Sequence, residues 1–98
     1  MSNQLEEIKK ILFDACRDFK NDIIKIISDE NLKIKLEETF NELWHVKILL
    51  FVYLIREDKL NNQILEFCDK YNIDKNTHNI SLLEKHLKYF LEIKQALI

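Results

Sequence analysis

Ninety-eight residues pass without one glycine or one proline. No other feature restricts so firmly what this chain can fold into. Two-residue hairpin turns of the primed types need positive φ, which glycine adopts with least strain. A loop that lays bare backbone around a phosphate needs glycine for the same reason. Barrels, sandwiches and phosphate-cradling folds are therefore disfavoured. Helices joined by short Asn, Asp and Ser connections are what remains. The length allows one domain, 1–98, with no second core.

Turning the sequence at about 100° per residue gives an all-α reading, a small antiparallel bundle of about four helices. Residues 3–27 place Leu5, Ile8, Leu12, Ala15, Cys16, Phe19, Ile23, Ile26 and Ile27 on one stripe. Glu7, Lys10, Asp14, Asp18, Asn21 and Lys25 lie opposite. Ser28 to Asn31 is turn and N-cap material. A second helix is expected over 30–56, with Leu32, Leu36, Phe40 and Leu43 inside. A third is expected over 59–71, capped by Asp58, with Leu60, Ile64, Phe67, Cys68 and Tyr71 inside. After the loop 72–79, Ser81 to Glu84 reads S-x-x-E, a capping box for a last helix over 80–97. Its inner residues are Leu82, Leu83, His86, Leu87, Phe90, Leu91, Ile93 and Leu97.

The run VKILLFVYLI, 46–55, has nine apolar residues in ten, in a chain that is 33% charged. It is about half the length that crosses a bilayer. A lone strand could not satisfy its own backbone, so helix is the expectation. If the second helix keeps its phase, Ile48, Leu49 and Val52 fall on the side where Glu38 to His45 were polar. Lys47 then falls inside the inner stripe. Both oddities point to a break near Trp44–Val46, to a helix wrapped by the other three, or, the favoured reading, to an apolar surface shared with another chain. Ile48, Leu49, Val52 and Ile55 are the interface residues expected on that reading, most simply in a two-fold homodimer.

Residues that carry chemistry are sparse. Glu42 and His45 form a single E-x-x-H pair, whereas a di-metal carboxylate bundle needs two, with further glutamates. Asp14, Asp18 and Asp22 recur every four residues among Arg17, Lys20 and Lys25, which points to mutual neutralisation before a hard cation. His86 sits within an apolar face with no nucleophile at a telling spacing, and a buried imidazole there could make stability depend on pH. Cys16 and Cys68 fall on apolar faces and read as small hydrophobes. No catalytic, metal or cofactor site is expected, and no enzyme. The first residues lack a basic, then apolar, leader pattern, so a cytoplasmic protein without a membrane segment is expected.

The stretch 63–87, QILEFCDKYNIDKNTHNISLLEKHL, resembles a DNA-binding helix-turn-helix in its first half. Phe67, Cys68 and Tyr71 stand at its inward positions, Asn72 can take the left-handed turn conformation, and Ile73 anchors the turn. The resemblance implies that Lys75, Asn76, Thr77 and His78 would meet nucleic acid. It departs from the motif at His78 and Ser81, which stand where apolar residues belong. Charge does not favour phosphate either: 15 basic against 17 acidic residues give a net charge of −2, with no basic block. The expectation is a small protein–protein interaction module of inhibitor, immunity, antitoxin or adaptor type. The alternative is a nucleic-acid-binding protein using 63–87.

Overall fold

The first helix forms where its apolar stripe predicts, but it closes early. In a computed structural model that describes residues 2–42 and 46–97, α1 runs Ser2–Ile24. Ile26 N–H donates to the Ile23 carbonyl at 3.0 Å, tightening the last turn before the chain leaves the helix. Asp29 then caps α2, Glu30–Glu42, accepting from the amides of Asn31 and Leu32 at 2.8 and 3.2 Å. Over the range of the second helix expected at 30–56, the structure describes α2 and then α3, Val46–Leu54. The expected break near Trp44–Val46 falls largely on residues 43–45, outside those described. A single 3-10 turn, Glu57–Lys59, leads into α4, Leu60–Lys70, and α5 spans Thr77–Leu97. No strand occurs among the described residues.

Two of the expected caps are corrected. Asp58 does not cap α4, because its carboxylate is taken by the Arg56 guanidinium through paired bonds of 3.1 and 2.9 Å. The Ser81–Glu84 box does not open α5. Asn76 offers a cap one turn sooner, accepting the Asn79 amide at 2.8 Å, so helix is already established when Ser81 is reached. Glu84 pairs instead with Lys88, 2.6 Å away.

The end of α4 shows how a chain without glycine stops a helix. Asn72 takes φ +51°, the Ile73 amide donates to the Cys68 carbonyl at 2.8 Å, and the Asn72 amide reaches Asp69 at 3.4 Å. That is the Schellman arrangement, with asparagine in the left-handed place. Ile73 and Cys68 are both buried beneath it.

Helix α5 packs against α1, α3 and α4, and α2 packs on α1. The molecule measures 43 × 28 × 17 Å, only about two helix layers through its thinnest direction. At the centre lies Phe19, fully buried. It meets a ring from each of the other four helices, with centroids 5.5 Å away at Phe40, 6.3 Å at Phe51, 5.5 Å at Phe67 and 5.7 Å at Phe90. Edge-to-face and tilted pairs of this kind add to the apolar burial that drives the packing.

Candidate functional site

Helix α3 is apolar on every described side, and two layers of helices can cover only one of them. Its inner face carries Val52, 1% exposed, with Phe51 stacked near Phe19, Phe40 and Phe90, and Ile55, just past its end, is 5% exposed. Its outer face carries Leu50, Tyr53 and Leu54, exposed by 56%, 68% and 61%. These three sit at i, i+3 and i+4 and form one stripe along the helix. The expected interface is thereby corrected. Val52 and Ile55 belong to the core, while the side chains of Ile48 and Leu49 lie outside the described residues. The physical reason is phase. The expectation carried the phase of α2 through the run, whereas Phe51, Val52 and Ile55 turn a different side inward.

The end of α3 is held from outside. The Val52 carbonyl accepts the Ile55 amide at 3.2 Å, but Arg56 is extended at φ −127°, and the carbonyls beyond Val52 are met by side chains of other helices. Gln63, from α4, donates Nε2–H to the Leu54 carbonyl at 2.8 Å and accepts the Arg56 amide at 3.0 Å. Lys94, from α5, donates to the carbonyls of Tyr53 and Ile55, each at 2.8 Å. The same ammonium lies 4.9 Å from the centroid of the Tyr53 ring. The sequence reading missed both residues. The signal was present: Lys94 follows Phe90 by four and Gln63 follows Leu60 by three, so each polar side chain falls inside an apolar stripe.

His86 is buried as expected, and its partner is a side chain. Nε2–H donates to Asp22 Oδ2 at 2.7 Å, joining α5 to α1. Asp22 thus leaves the aspartate ladder, while Arg17 bridges Asp14 and Asp18 at 3.4 and 3.6 Å. A shallow groove of about 410 Å³ lies beside the pair, lined by Asp18, Asn21, Lys85 and Tyr89. No serine or cysteine lines it. No group of three or more His, Cys, Asp or Glu residues converges as a metal site among the described residues. Glu42 closes α2, but its side chain and His45 lie outside the described residues. Cys16 and Cys68 are buried free thiols, and burial pushes Cys16 up to about 12.

The α4–α5 joint places the four nucleic-acid candidates in different roles. Asn76 is the α5 cap, and its amide also donates to Asp74 at 3.1 Å. Lys75 is ion-paired with Asp69, whose hydrogen bond raises the ammonium above its ordinary range. Thr77 and His78 are exposed in the first turn of α5, and Asn79, not His78, turns inward to the Asp74 carbonyl. Two carboxylates, Asp69 and Asp74, thus flank the candidate residues. None of the described helices is long and apolar enough to cross a membrane. Comparison with protein-family models, with curated proteins and with solved structures finds no match for this chain.

Proposed function

We propose that this chain is a small protein–protein interaction module of the inhibitor, immunity, antitoxin or adaptor kind, working in the cytoplasm by occupying a partner's surface and not by catalysis. The observation that carries the reading is the Leu50, Tyr53 and Leu54 stripe, three large apolar side chains left more than half exposed on one helix. A whole aromatic side chain presents roughly 150–250 Å². Three residues exposed to this degree make a patch on the order of 300–400 Å². Patches of that size are often functional, yet a standard interface covers about 800 Å² per partner.

A second copy of the chain is the simplest occupant. A two-fold contact sets each residue against its own counterpart or near neighbours, and Leu50, Tyr53 and Leu54 bring no charge of their own to it. The patch alone supports weak association, in the micromolar to millimolar range. Sedimentation velocity over that range tests it. The wild type should shift from monomer to dimer, and Leu54→Glu should hold it monomeric with its helical signal intact. A monomer at every concentration, with no partner whose binding Leu54→Glu abolishes, overturns the reading. Val52→Glu is no test of a surface, since it places a charge in the core.

A further inference from the structure

We infer that Lys94 and Gln63 are positioning residues for the α3 stripe, which keeps its outward facing only while both side chains grip the end of the helix. The inference rests on the reading of that stripe as a docking surface. Apolar residues on both faces of α3 leave packing with little preference for one rotation over another. Something else must choose. The carbonyls of Tyr53, Leu54 and Ile55 are consecutive, and each accepts a side-chain donor at 2.8 Å. Those donors come from two different helices, so α4 and α5 together fix the end of α3 in position and rotation.

The grip also touches the surface it orients. Lys94 holds the Tyr53 carbonyl and lies over the Tyr53 ring, so one cation sets both the backbone and the side chain of a stripe residue. A cation at this place further suits the negative end of the helix dipole. Rotation of α3 by one residue position would bring Phe51 or Val52 outward and break all three bonds at once. The stripe is thus coupled to two residues outside it.

Amide hydrogen exchange on the full chain tests the grip directly, through wild type, Lys94→Met, Lys94→Arg and Gln63→Met. Lys94→Met keeps the apolar stem and deletes two charge-assisted bonds. Exchange at Phe51 to Ile55 should quicken by about a hundredfold, with Phe19 and Phe90 changed by less than about threefold. Lys94→Arg should restore most of the protection. Gln63→Met, which loses one neutral bond, should quicken the same amides by about tenfold, and it serves if Lys94→Met fails to fold. Unchanged exchange in α3, or equal acceleration in α1 and α5, overturns the inference. Sedimentation of the same variants keeps the two ideas apart. A wild type that never associates defeats the docking of a second copy alone, whereas α3 exchange indifferent to Lys94→Met defeats the grip alone.

Discussion

Phe19 is where the packing argument is most exposed to test. Its ring meets Phe40, Phe51, Phe67 and Phe90, and also the His86 imidazole at 5.3 Å, so Phe19→Ala opens a cavity bordered by every other helix. Truncating a buried Phe to Ala costs about 3–5 kcal/mol. The ring contacts place this site at the upper end, because a well-arranged aromatic pair adds about 0.5–1.5 kcal/mol beyond its area. A domain of this size has about 5–15 kcal/mol in total, so the variant should be marginal. At roughly 4–8 °C per kcal/mol for small domains, its Tm should fall by on the order of 20–30 °C. Phe19→Leu keeps most of the volume and should lose about 1–2 kcal/mol. Urea unfolding followed by circular dichroism measures both. A loss under about 1 kcal/mol for Phe19→Ala, at an unchanged m-value, would refute the placing of this ring at the centre of the core.

Three further outcomes are expected. The Cys16 thiol, held at about 12 in the folded chain against 9.0 in the unfolded, makes the native state bind its proton more tightly. That stabilisation is complete below pH 9 and is lost as the pH rises towards 12, so chemical denaturation at pH 8, 10 and 11 should show a decline that Cys16→Ala flattens. At Asn72, φ +51° penalises a β-branched side chain, so Asn72→Val should cost about 1–2 kcal/mol while Asn72→Gly is neutral or stabilising; equal thermal unfolding of the two would contradict the turn geometry. Asp22→Ala leaves the buried His86 N–H without its acceptor and should cost about 1–3 kcal/mol, and a double-mutant cycle with His86→Phe should recover part of it if the 2.7 Å bond carries the effect.

The candidate surface was only half legible in the sequence. An apolar run of unusual density announced that something lay at 46–55, and the mismatch at Lys47 announced a change of phase. Which residues turned outward was not legible, because the wheel for 46–55 was anchored on Leu32 to Leu43, and the end of the run turns a different side inward. The α5 start was misjudged for a related reason. A capping box acts only where the preceding chain is not yet helical, and Asn76 had made it so. Asp22 read as a solvated carboxylate until the fold set His86 beside it, 64 positions later in the chain.

The sequence by itself determined the material: helices, because glycine and proline are absent, and the apolar stripes of α1, α4 and α5, because each repeats at helical spacing. It also determined the local stops, since Asp29 and Asn72 act through bonds to residues within four positions of themselves. The tertiary structure alone decided the rotation of α3. A helix that is apolar all round has almost no amphipathic direction of its own, so its local sequence cannot say which side is buried. The aromatic cluster around Phe19 supplied the inside, Gln63 and Lys94 fixed the end, and Leu50, Tyr53 and Leu54 were left facing out.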